Sequence, residues 1–252
     1  MNLSEFYSGP RTGDDTTDPA RIRVSREQAS DFAKRIAGDF NPIHDIDAKR
    51  FCVPGDLLFA LMLERYGVAT STQVEFAGMV TDQVTVELPA SIDSTHTVID
   101  TDGREYLSLA LTGPRITDAG SILDMARVCV EFSGRTFPDI LVELMQQHQV
   151  MINPARPLVI YKSISLAVTD ADNLAPQGAI TLEAGECSLE TEGKKGQALL
   201  RFALHCDGRE FARGEKSMML GGLRPYDGEA MDAIVVQYRE WQQAYAATLR
   251  AG

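Results

Sequence analysis

The sequence predicts an α+β fold in which antiparallel strands wrap a buried helix, and do so twice along the 252 residues, with an amphipathic helix at the C-terminal end. Three observations carry this expectation. The run Leu57-Leu58-Phe59-Ala60-Leu61-Met62-Leu63 is apolar on nearly all faces of a helix, so something must surround it. Strand-like runs separated by turn signals follow it. The same order then recurs, because Phe137-Pro138-Asp139-Ile140-Leu141-Val142-Glu143-Leu144-Met145 echoes the stretch from Val53 to Met62 and also leads into strands.

Taken in order, residues 1–20 read as a flexible lead-in, since 11–20 are mostly turn formers. Arg21 to Val24 can make a short strand. Ser25 followed by Gln28 is a capping-box pattern, and Ala29, Phe32, Ala33, Ile36 and Ala37 recur at helical spacing, which predicts a helix over 26–37 halted by Gly38. Pro54-Gly55-Asp56 opens the apolar helix. Strands are expected at 73–80, 83–88, 95–100, 105–112 and 122–132. In the second half they are expected at 158–168, 179–190, 198–206 and 210–220, with Asp207-Gly208 as a tight turn. Met231, Ile234, Val235, Tyr238, Trp241 and Tyr245 form the apolar stripe of a helix over 229–249, expected to pack on the sheet or on a partner subunit. The expected organisation is a lead-in at 1–20, a first half at 21–134, a second half at 135–227 and a terminal helix at 228–252.

Composition narrows the function. With 36 acidic against 24 basic residues the net charge is −12, which argues against nucleic acid and anionic membrane surfaces as partners. No window approaches the length of a membrane span and residues 1–10 lack the features of a signal peptide, so a cytoplasmic chain without membrane insertion is expected. The four cysteines are widely spaced and the four histidines lack ligand spacing, so neither disulfides nor a metal site is expected, and no cofactor.

Chemistry concentrates in Gly38-Asp39-Phe40-Asn41-Pro42-Ile43-His44, which sets a carboxylate and an imidazole five positions apart in a stiff turn. Gly38 can take positive φ, and Pro42 holds Asn41 away from helical angles, so both side chains are held in place. Read without other context, the same letters are also a helix stop with an Asx-type turn and a packed histidine. The stretch resembles the Gly-Asp-x-Asn-Pro-x-His signature of MaoC-like (R)-specific enoyl-CoA hydratases. Parts of the sequence are also similar to proteobacterial proteins grouped as a family of unknown function. The first resemblance implies a hot-dog fold, here in tandem (a double hot-dog), and hydration of a 2-enoyl thioester or its reversal.

That resemblance assigns Asp39 and His44 as the catalytic pair and the Gly55 backbone N–H as the donor to the developing oxyanion. Asn41 joins the substrate-binding set and is read as a brace of the loop. The side chains of Asp39 and His44 are expected in one cavity, within about 6 Å, near enough to share a water. Two departures stand out: Pro54-Gly55 replaces the family's His-Gly, and the segment between His44 and Gly55 is shorter. Asp56 is expected to face outward as a first-turn acid. Arg50, Lys162 and Arg213, with Lys194, Lys195 and Lys216, are the surface cations open to the phosphates of an acyl-CoA or another acyl-thioester carrier. The second half has no such motif, so one site per chain is expected, and the chain can form a homodimer. Two other readings stay open. One is thioester hydrolysis using Asp56, Glu64, Asp139 or Glu143, and the other is a non-catalytic acyl-binding or interaction module.

Overall fold

The computed structural model describes residues 1–9, 20–169, 176 and 178–251. Residues 1–9 pack against the body, with Leu3, Phe6 and Tyr7 buried and Ser8 bridged to Arg23. Residues 10–19 of the expected lead-in lie outside the described residues. Strand β1 (Ala20–Arg23) runs into helix α1 (Arg26–Asp31), which starts with the Ser25–Gln28 capping box. α1 continues as a π-helical turn over Phe32–Ala37 and stops at Gly38, whose φ of 66° is left-handed. Glycine takes that angle without the Cβ penalty other residues meet.

Helix α2 (Gly55–Tyr66) is the expected central helix, and Leu57 through Leu63 are all buried. Strands β2 (Val68–Phe76), β3 (Thr85–Leu88), β4 (Thr95–Asp100) and β5 (Glu105–Ile116) follow it. Next come helices α3 (Ala119–Arg135) and α4 (Leu141–Gln147), joined across a kink over Thr136–Ile140 where Phe137 is extended. A two-residue strand β6 (Val150–Met151) leads to β7 (Leu158–Val168), β8 (Ile180–Glu192), β9 (Lys195–Cys206) and β10 (Arg209–Gly221). Strand β11 (Arg224–Pro225) pairs with β6, and helix α5 (Gly228–Ala251) ends the described chain. Among the described residues no helix is long and apolar enough to cross a membrane.

Among the described residues, nine strands make one antiparallel sheet in the order β1-β3-β4-β5-β2-β7-β10-β9-β8. The seam between the halves is the β2–β7 pair, with Gln73 opposite Ser165. Outward from that seam the order reads β2-β5-β4-β3 on one side and β7-β10-β9-β8 on the other, so each half repeats the other's strand sequence. The β9–β10 connection is the tight turn expected at Asp207-Gly208, where both residues have positive φ, 48° and 81°.

Residues 122–132, expected as a strand, belong instead to helix α3. Ile122, Val128 and Val130 are β-branched and suggest extended backbone, yet the buried positions include Ile122, Met125, Ala126, Cys129, Val130 and Ser133, a set at helical spacing. Asp118 caps the helix by accepting the Ser121 N–H. α3 packs over β8 and β9, a place the sequence assigned to the helix near Asp139. Its Phe132 packs on Phe202 of β9 at 5.6 Å between ring centroids, and its Cys129 and Ser133 meet Lys216 of β10.

Near its end α3 touches the start of the Gly38–His44 loop. A Cβ on Gly134 would lie 2.4 Å from the Ala37 carbonyl oxygen and 2.8 Å from that of Gly38. Gly134→Ala gains helix propensity of about 1 kcal/mol but forces a backbone clash that overpacking data put at about 1–3 kcal/mol. We expect a net loss of stability in urea unfolding. Gly120→Ala in the same helix meets only Asp118 Oδ2 at 3.4 Å and is expected to be neutral or mildly stabilising.

Candidate active site

The loop after the π-helical turn is held at every residue. The Asp39 N–H donates to the Ala33 carbonyl at 2.8 Å and the Asn41 N–H to Asp39 Oδ1 at 2.9 Å. Asn41 Oδ1 accepts the Ile43 N–H at 3.3 Å and caps a 3-10 turn over Pro42–His44, while its Nδ2 donates to the Val159 carbonyl of β7 at 3.3 Å. Asn41 therefore fastens the loop to the second half of the sheet. A π-helical turn feeding such a loop is a frequent mark of functional positions.

Asp39 and His44 point toward each other, with Asp39 Oδ2 3.7 Å from His44 Nε2. That is beyond a good hydrogen bond and short enough for one water to touch both atoms. His44 Nδ1 lies 2.7 Å from the Cys52 carbonyl oxygen. A carbonyl only accepts, so Nδ1 carries a hydrogen, and Nε2 is the ring atom turned toward Asp39. The two oxygens of Asp39 divide their work. Oδ1 takes the Asn41 N–H and, at 3.4 Å, the Tyr238 hydroxyl of α5, while Oδ2 faces His44.

Tyr238 was expected only on an apolar stripe. Its hydroxyl also accepts the buried Phe40 N–H at 2.9 Å, so α5 roofs the loop and completes its hydrogen bonding. Burial pushes the Asp39 carboxyl above its ordinary range, and nearby Asp56 adds to the push. His44 and the Asn41 N–H pull the other way. Burial also pushes the Cys52 thiol up to about 12, so this lining cysteine remains a neutral thiol.

These groups open onto a cavity of about 580 Å³ whose walls include Leu58, Phe76, Met218, Ile234 and Trp241. Among its described lining residues, Asp39 supplies the carboxyl group and His44 the imidazole, and none is Glu, Lys or Arg. Gly55 lines it too, at the start of α2, where no side chain caps the first N–H groups. A Cβ on Gly55 would come within 2.7 Å of the Tyr161 ring, so the close approach needs glycine.

The structure does not bring the expected cations to this cavity. Arg50 and Lys162 are exposed outside it, and Arg213, also exposed, pairs with Glu210 at 2.7 Å. Lys194 and Lys195 are exposed at the β8–β9 turn. Two expectations are reversed. Asp56 is turned inward at 2% exposure, and Lys216, grouped with surface charges, is wholly buried against it with Nζ 2.8 Å from Asp56 Oδ1. Alternation along β10 carries the signal, since Ala212, Gly214, Lys216, Met218 and Leu220 share the inward face.

A family model described as "Protein of unknown function (DUF3581)" matches residues 1–229. The chain belongs to that family. No curated protein matches it. Among solved structures, this DUF3581 member is similar to a conserved protein of unknown function with hot dog fold from Alicyclobacillus acidocaldarius. That likeness has 12% identity, covers 89% of this chain and 98% of the other, and has a TM-score of 0.46. An acyl-CoA thioesterase II TesB2 from Mycobacterium marinum is 13% identical, over 90% of this chain and 99% of its own, with a TM-score of 0.42. A structure titled "MaoC-like dehydratase" is 11% identical, over 87% and 99%, with a TM-score of 0.41.

The raised Asp39 pKa makes a testable statement about stability. A carboxyl that holds its proton more tightly when folded contributes its full stability below the ordinary value near 3.9, and loses it as pH rises through the folded value. Asp39→Asn does not titrate and loses nothing. The Asn variant should therefore gain on wild type between pH 4 and neutrality in urea unfolding, whereas a gap moving the other way would mean that the fold stabilises the carboxylate.

Proposed function

We propose that this DUF3581 member is a hydro-lyase that adds water to a 2-enoyl thioester, or removes it from a 3-hydroxyacyl thioester, on a tandem hot-dog framework. The carrying observation is the Asp39–His44 pair, 3.7 Å apart across the wall of a largely apolar cavity. The framework reading is supported by α2, buried on all sides, and by a sheet whose strand order repeats outward from the β2–β7 seam.

In hydration, the water held between Asp39 Oδ2 and His44 Nε2 gives up a proton to the pair while its oxygen bonds to C3. The C2–C3 π electrons move toward the carbonyl, and the charge gathers on the thioester oxygen. The Gly55 N–H and the positive end of α2 stabilise that charge. The proton taken from water then reaches C2, so atoms and charge balance. The apolar walls suit an acyl chain, and the charged part of the carrier stays outside, in keeping with the absence of Lys and Arg from the described lining. Hydrolysis is less well supported. Two of the acids it would use are already engaged, Asp56 with Lys216 and Asp139 with Arg239.

Asp39→Asn tests the reading. Asn retains the loop's hydrogen bonding but accepts no proton from water, so turnover of short or medium 2-enoyl-CoA should fall by about 10²–10⁴-fold with acyl-CoA binding nearly unchanged. Loss of the conjugated enoyl-thioester absorbance reports hydration, and release of free CoA thiol reports hydrolysis. Full activity in the Asn variant would remove Asp39 from the chemistry, and thiol release by wild type without hydration would replace the proposal with a thioesterase.

A further inference from the structure

We propose that Tyr161, on β7 of the second half, is a catalytic residue that donates its hydroxyl proton in a hydrogen bond to the thioester carbonyl oxygen, aimed by a buried Lys216–Ser133 chain. This rests on the hydro-lyase reading, and assigns to the half without the motif the stabilisation of the charge that the motif's water creates.

The hydrogen bonds around Lys216 follow from a count of protons. Lys216 Nζ has three, and each has an acceptor: Asp56 Oδ1 at 2.8 Å, Ser133 Oγ at 2.7 Å and the Cys129 carbonyl at 2.5 Å. Ser133 thus accepts from an ammonium and keeps one proton of its own to place. Ser133 Oγ also meets Tyr161 Oη, at 2.6 Å. If Ser133 donates there, the Tyr161 proton is left for another acceptor. Both Ser133 and Tyr161 line the cavity, and the Tyr161 ring packs on Gly55, the other proposed donor. Lys216 and Asp56 are shut away behind them.

The electrostatics suit a donor. Burial, then the charges of Asp56 and Asp39, hold the Tyr161 hydroxyl well above its ordinary pKa, against the pull of Ser133. Tyr161 therefore keeps its proton and acts by hydrogen bonding without transferring it. Asp56 also faces this hydroxyl and competes for the proton, and its pairing with Lys216 weakens that competition. When the enolate forms, its oxygen becomes the strongest acceptor in reach, which is when a fixed donor contributes most. Ser133 and Lys216 are positioning residues, since they act through Tyr161.

The test uses the full chain, with two variants and two readouts. Tyr161→Phe keeps the ring on Gly55 and removes the hydroxyl, and Ser133→Ala removes its aim. For 2-enoyl-CoA hydration we expect kcat to fall by about 10²–10³-fold in Tyr161→Phe and less in Ser133→Ala, with KM changing little. The second readout needs no turnover. Butyryl-CoA carrying a ¹³C thioester carbonyl is bound to each protein and its carbonyl stretch recorded by difference infrared spectroscopy. The band should shift down in wild type, and much of that shift should disappear in Tyr161→Phe and part of it in Ser133→Ala. An unchanged band with wild-type kcat in Tyr161→Phe would overturn the proposal. If wild type binds butyryl-CoA but hydrates no enoyl-CoA, the hydro-lyase reading fails and the band alone decides Tyr161. Failure of wild type to bind acyl-CoA overturns both.

Discussion

A lysine without solvent sits where three elements meet, and the protein is arranged around satisfying it. Lys216 reaches in from β10, Asp56 from the first turn of α2, and the Cys129 carbonyl and Ser133 hydroxyl from α3. Leaving either partner of a buried ion pair alone costs about 3–5 kcal/mol, more than the roughly 1.5–3 kcal/mol for burying one large aliphatic side chain. Apolar packing tolerates small slides, but a short charge-assisted hydrogen bond does not. The ion pair therefore fixes the start of α2 relative to β10 and α3. Gly55, next to Asp56, inherits that position.

The Asp39–His44 loop is positioned by several separate parts of the chain. Its entry is set by the left-handed Gly38 against Gly134 of α3, its middle by Asn41 on the Val159 carbonyl, and its roof by Tyr238. The imidazole is turned by a carbonyl from the segment before α2. A shift in any of these moves the same two side chains. Reactive groups need this kind of multiple constraint, because small errors in position weaken acid–base chemistry.

Local chemistry was readable from the letters, and long-range pairing much less so. The Ser25–Gln28 box, the Gly38 stop, the apolar α2 and the Asp207-Gly208 turn each depend on neighbours a few residues apart, and each forms as the sequence predicts. α3 was misread because Ile122, Val128 and Val130 favour extended backbone, and the buried helical set became decisive only once packed. The Asp56–Lys216 contact spans 160 residues, and no pattern in either segment announces the other. The alternation of β10 could have placed Lys216 inside, but not beside Asp56. Tyr238 was recognisable as part of an apolar stripe, while its hydroxyl bond to Phe40 depends on where α5 lands.

That bond has a consequence for the order in which the protein is made. Phe40 and Tyr238 are 198 residues apart, so the loop leaves the ribosome long before its roof exists. Until α5 emerges, the Phe40 N–H has only water as a partner, and until β7 emerges β2 is an open edge. A nascent chain that has released only the strands up to the seam therefore lacks the roof of the site and also, with β10 not yet made, the Lys216 partner of Asp56. Under the proposed function, a thioester that met such a chain would find the Asp39–His44 pair wet and loosely held, and turnover would begin only when the last helix docks.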